Sequence, residues 1–325
     1  MNIEDIIKSQ ISIPEYDHIA QEAERRLKEY LEYNNFSLYD SDIAEKRKHD
    51  YFYMEMAFFS DIMLIARKYI KYLPNIRFLP RRYFDFSMSV GSLGSEKIIF
   101  AEELMLSFLT EFSLFAFYIS MENTAKAAKD DLRQYKRYMV AAIDIFACRK
   151  KNSGIDEVFL EVVGKNEHSA KFACFMSRAM YTFMLCHEVA HTVLNQSADS
   201  SFQSEFDADA LGYELFYSLI SNSDKLNYLE FFQGLCRAPL ALFDIFDLVD
   251  YFKREILDEF VEDPKHPAPF LRKAALLDQF DFGDDEESFN LYLVLSEQVS
   301  SLKYYIHKYK DVMRKEIKKI HDRDV

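Results

Sequence analysis

The chain has no tryptophan, and its 325 residues include only 7 glycines, 7 prolines and 4 cysteines. So few glycines and prolines leave few backbone breaks, which works against a fold of many tight turns and favours long helices joined by short loops. Cys148, Cys174, Cys186 and Cys236 are scattered, with no CxxC spacing. That argues against a disulfide framework and points to buried free thiols in a reducing compartment. Cys174 and Cys186 fall on one helical stretch and cannot pair if it is continuous. A basic surplus is also missing. The net charge is −14, and phosphate attraction needs a basic surface, so nucleic acid is not an expected partner.

A long uninterrupted apolar run is absent too. The most apolar stretch, Leu104 to Ser120, carries Glu111 at its middle. A membrane span needs about 20 residues, and a central carboxylate there is penalised by about 2.5–3.5 kcal/mol. A buried core helix is therefore expected, with Glu111 a partner for a cation or hydroxyl, and no membrane span. Residues 1–8 are acidic and lack the basic-then-apolar layout of a signal peptide, so a cytoplasmic protein is expected.

What is abundant is core material. Hydrophobic residues make up 49% of the chain, with 30 Phe and 21 Tyr, enough for one large domain or two small ones. Residues 14–72 show helical periodicity, and basic clusters there read as solvated helix faces. Tyr83 to Val90 alternates, Gly91-Ser-Leu-Gly94 reads as a turn and Lys97-Ile-Ile-Phe100 follows, which predicts a β-hairpin. Glu157 to Val163 is a second strand candidate. Residues 226–260 read as further helices, and residues 286–323 as one long helix whose basic end suits the helix dipole. The expected class is α+β, predominantly helical with a small β-sheet. It divides into an N-terminal helical region at 1–75, a core at 76–285 and a C-terminal helix at 286–325, forming one compact unit. His18, His49, His168, His307 and His321 have no metal-like spacing and read as structural or solvated.

The chemistry lies in Leu185-Cys-His187-Glu188-Val-Ala-His191-Thr-Val-Leu194, an HExxH pattern. On a helix, His187 and His191 lie one above the other, and two imidazoles so placed can bind one Zn²⁺. Glu188 flanks them, placed to take a proton from a water molecule. The surrounding apolar residues imply a largely buried helix, where bare polar groups are costly without partners. Fourteen positions later comes Glu205-Phe-Asp-Ala-Asp209. The polar segment between, residues 195–201, reads as a turn, so a second helix starting near Ser201 or Phe202 folds back as an αα-hairpin. Catalytic zinc takes three protein ligands and leaves one position open, and His187, His191 and Glu205 complete that set. Asp209, one turn on, is placed to accept the free N–H of a ligand imidazole, while Asp207 points away.

This arrangement resembles the gluzincin metallopeptidases, whose HExxH is followed by a helix bearing ExxAD, here Glu205 to Asp209. The group that includes the CAAX prenyl endopeptidase and the HtpX-like proteases adds a later HPxxxxR, here His266-Pro267-Ala-Pro-Phe-Leu-Arg272. The resemblance covers residues 183–277, under a third of the chain. The gap between His191 and Glu205 is shorter than that group's, and looks more like small soluble bacterial gluzincins such as phage-exclusion peptidases. The resemblance implies a zincin-like helix pair, a small sheet with a strand that holds substrate backbone, and zinc-dependent cleavage of a protein or peptide. It further implies that His266 lies near the zinc and contacts substrate, and that Arg272 orders that loop or pairs with a site carboxylate. Peptidases of the soluble type often act on one regulator or on a host factor in phage defence. The alternative is a non-catalytic zinc-binding interaction module on the same scaffold, against which Glu188 argues, since a structural site needs no base beside the metal.

Overall fold

The computed structural model describes residues 59, 61–68, 70, 73, 76–81, 88–93, 96–102, 105–125, 167–194, 201–221, 235–258, 266–282 and 286–321. After a helical stretch at 61–68 come strands β1 (Ile76–Arg81), β2 (Met88–Leu93) and β3 (Glu96–Glu102). Helices follow: α1 (Met105–Ala125), α2 (Glu167–Val193), α3 (Phe202–Ser221), α4 (Ala238–Ile256), α5 (Pro269–Gln279), α6 (Glu286–Lys308) and α7 (Lys310–His321). The described part is mostly helical with one small sheet, as the sparse glycine and proline predict.

Helix α2 is the axis of the fold. It packs against α1, α3, α4 and the strands β2 and β3. Residues 176–190 are buried without interruption, which follows from a helix that is apolar on nearly every side. Phe183 is wedged edge-on between Phe216 of α3 and Phe243 of α4, at 6.0 and 5.9 Å. One continuous core runs from Phe59 to Ile317. The C-terminal helices therefore belong to the same packed body as the centre, while residues 1–58 lie outside the described residues.

Helix α1 buries Leu106, Phe108, Leu109, Phe112 and Phe117, as a core helix should. No helix among the described residues is long and apolar enough to cross a membrane. The side chain of Glu111 lies outside the described residues. Cys174 and Cys186 both sit on continuous α2, and with Cys236 they are free thiols.

The sheet has the order β1-β3-β2. β2 and β3 form the expected antiparallel hairpin, with Met88 opposite Ala101 and Leu93 opposite Glu96. The turn is displaced from the expected place, because Gly91 lies inside β2. A Cβ there would stand 2.6 Å from Cε2 of Phe100, so Gly91 makes room for that ring. β1 runs parallel to β3 and is not anticipated by the sequence. Its Pro80 suits an edge position, where a missing N–H costs little. The strand candidate at 157–163 lies outside the described residues.

The expected single C-terminal helix is two. Tyr309 N–H still donates to Tyr305 O, but Tyr309 O then accepts from both Val312 and Met313 N–H, restarting the ladder. Two of the basic residues expected to serve their own helix end, Lys310 and Arg314, serve another element instead. Lys310 Nζ reaches Glu255 at 2.9 Å, and Arg314 Nε donates to Glu255 O at 2.9 Å, while its Nη2 pairs with Asp258. These contacts dock α7 on the C-terminal end of α4, and the break at Tyr309 allows it.

Candidate metal centre

Helices α2 and α3 form the expected αα-hairpin. Ser201 precedes α3 and satisfies its first donors, its carbonyl accepting from Ser204 N–H at 3.0 Å. Glu205, Ala208, Asp209 and Gly212 then recur on the buried face of α3 and meet His187 and His191 of α2.

Three ligand side chains converge. Nε2 of His187 and Nε2 of His191 are 3.0 Å apart. The Glu205 carboxylate straddles them, Oε2 at 3.5 Å from His187 and Oε1 at 3.4 Å from His191. A tetrahedral zinc with ligands at about 2.0–2.1 Å needs ligand atoms about 3.3 Å apart. The spacing therefore fits a single small cation, and among the described residues these three form the group able to hold one. Asp207 is exposed and accepts from Gln203, pointing away as expected.

Charge supports the same fit. Three buried carboxyl groups, Glu188, Glu205 and Asp209, share the site with one permanent cation, Arg272. Burial pushes the Glu188 carboxyl up, over the opposing pull of His187 and His191. Burial also acts to raise Glu205, but hydrogen bonds from His187, His191 and His266 outweigh it and hold this group well below the usual carboxylate range. For His187, burial and Arg272 act downward, yet Asp209 and Glu205 win and lift it to about 9. The positive charge that His187 holds up to about pH 9 offsets part of the site's surplus of negative charge. A divalent cation would replace it.

Asp209 stands 2.9 Å from Nδ1 of His187. Its carboxylate only accepts, so Nδ1 carries a proton, and Nε2 can give its lone pair to a metal once its own proton has left. Arg272, on the first turn of α5, grips Asp209 with both prongs, Nε at 2.7 Å and Nη2 at 2.5 Å. Burial tends to raise Asp209, and this guanidinium overrides it. The guanidinium also lies over the Phe243 ring at 4.9 Å. Nη2 is 3.3 Å from Nδ1 of His187, a contact and not a hydrogen bond while that nitrogen is protonated.

His266 sits at the rim, its side chain 54% exposed, with Nδ1 3.3 Å from Glu205 Oε1. Pro269 fixes the start of α5 after the cap residue Ala268, which sets His266 outside the helix and Arg272 inside it. Glu188 is buried and does not belong to the ligand group.

The structure thus gathers all seven residues singled out from the sequence: His187, Glu188, His191, Glu205, Asp209, His266 and Arg272. Others were not anticipated. Phe243 carries no sequence signal linking it to Arg272. Asp244 accepts from Lys273 at 2.6 Å and from Tyr292 at 3.1 Å, clamping α5 to α4 and α6. Gly212, an isolated glycine inside a helical pattern, was the one with a readable signal. No family model matches the chain, and no curated protein or solved structure matches it either.

Proposed function

We propose that this protein is a zinc-dependent peptidase acting on a protein or peptide in the cytosol, with a gluzincin-like, zincin-type helix pair at its centre. The observation that carries the reading is the convergence of His187, His191 and Glu205, whose ligand atoms lie within 4.8 Å of one another, beside a buried glutamate that is not one of them. His187, His191 and Glu205 hold the metal. Bound there, zinc would polarise a scissile carbonyl and acidify water. Glu188, its proton affinity raised by burial, takes a proton from the attacking water and passes it to the leaving amine. His266, exposed at the rim, is the leading donor to the developing oxyanion. Asp209 fixes the ring of His187, and Arg272 fixes Asp209. β2 lies alongside α2 and pairs, among the described residues, on one side only. Its other edge is suited to take substrate backbone as an added strand.

Two measurements test this. Elemental analysis of the purified chain is expected to give about one zinc per molecule, the stoichiometry of a three-ligand site. Incubation with a peptide library is expected to give cleavage products that disappear with Glu188→Gln. Zinc without any cleavage would leave a non-catalytic metal-binding interaction module, and no bound metal would reject both.

A further inference from the structure

We infer that Gly212 is a positioning residue for the metal centre, because it lets α3 approach α2 closely enough for Glu205 and Asp209 to reach His187. The inference rests on the metal-binding part of the reading above. Gly212 is buried, three residues after Asp209 and seven after Glu205, so all three share one helical face. A Cβ added at 212 would stand 3.0 Å from both Cα and N of His187, and 3.4 Å from the carbonyl carbon of Cys186. Those are backbone atoms within the continuously buried stretch 176–190 of α2. They cannot swing aside as the tip of a flexible side chain can.

An alanine at 212 must therefore push the two helices apart by roughly a few tenths of an ångström. His187 meets α3 at three points: its backbone at Gly212, its Nδ1 at Asp209 and its Nε2 at Glu205, the last two at 2.9 and 3.5 Å. Metal–ligand distances tolerate only about 0.2 Å. A displacement of this size disturbs the ligand cage before it disturbs the hydrophobic core. Glycine is also the poorest helix former after proline, so alanine would be the better residue here if the spacing were unimportant.

The test compares affinities of the full chain for Zn²⁺ and the larger Cd²⁺, by chelator competition, in wild type, Gly212→Ala and Met313→Ala. Met313 is buried in α7, which packs on α4 and α6, and serves as a stability control. Gly212→Ala is expected to weaken zinc binding about 10- to 100-fold, the range for a support residue behind the ligands. Cadmium binding is expected to suffer less, so the preference for zinc shrinks. Met313→Ala is expected to lower the unfolding midpoint and leave both affinities unchanged. Asp209→Glu, one methylene longer, is expected to restore part of the zinc affinity in the Gly212→Ala background while weakening it alone. Wild-type zinc affinity in Gly212→Ala overturns the inference, as does equal loss of both ions without rescue by Asp209→Glu. A Gly212→Ala chain that shows no helical circular dichroism with or without zinc also overturns it, since the contact would then set the fold and not the cage. A wild-type chain that binds neither ion overturns the metal reading itself; binding by wild type with an unaltered variant overturns only the role of Gly212.

Discussion

Asp209 stands 2.9 Å from Nδ1 of His187 while both prongs of Arg272 hold its two oxygens. One carboxylate thus joins the last element of the site, α5, to the ligand helix α2. Asp209→Ala removes the acceptor that fixes the His187 tautomer, and metal affinity is expected to fall about 10- to 100-fold. It also leaves the half-buried Arg272 guanidinium without its bidentate partner, so a lowered urea midpoint should accompany the weaker binding. Wild-type affinity measured by chelator competition would remove Asp209 from the metal's support.

The ligands themselves should behave differently from their supports. His187→Ala, His191→Ala and Glu205→Ala each delete one of three donors, and a two-donor site with a wide opening should not retain zinc through dialysis. Elemental analysis after gel filtration checks this. Stoichiometric zinc surviving any one of the three substitutions rules that residue out as a ligand.

The helix pair was legible in the sequence because its cause is local. Spacings of three and four residues place His187 with His191 and Glu205 with Asp209 whatever the rest of the chain does. The polar segment between the helices announced the turn. Other features depend on partners far along the chain. β1 carries Pro80, a residue that a strand tolerates only at an edge, and an edge is defined by pairing with distant β3. The division of the last helix at Tyr309 lets Lys310 and Arg314 reach Glu255 and Asp258, and helical periodicity carries no trace of those distant partners. Phe243 beneath Arg272 is of the same kind. Arg272 itself was placed by resemblance in motif order, and local periodicity alone would have left it on a solvated face.

The proton held by His187 makes two pH effects measurable. Its pKa in the metal-free chain stands at about 9, above the ordinary 6.5. A group raised on folding contributes stability that is complete below its unfolded pKa and is lost as pH rises through the folded one. Metal-free protein is therefore expected to lose stability between pH 6.5 and about 9. Metal binding must expel that proton, so below pH 9 affinity should climb with pH by close to tenfold per unit. Calorimetric titration at pH 7.5 in two buffers of different ionisation heat should report about one proton released per metal ion. Release near zero would mean that His187 is already neutral in the metal-free site.

Glu188 decides between an enzyme and a binding module. It is buried beside the ligands yet is not one of them, so the metal site should tolerate a change there. Glu188→Gln preserves size and polarity and removes only the capacity to accept a proton. The variant is expected to fold, to hold zinc at wild-type stoichiometry and to lose hydrolysis by about 10²–10⁴-fold, the usual worth of a general base. Glu188→Asp tests reach: a shorter carboxylate keeps the basic group but withdraws it from the attacking water, so some activity should survive, above that of the glutamine variant and below wild type. Turnover of a cleaved peptide by all three proteins, each with its zinc content measured, separates the roles. If glutamine and wild type act equally on the same substrate, Glu188 moves no proton in the reaction. If no substrate is cut while a cellular effect persists in Glu188→Gln, the metal serves the structure of an interaction surface.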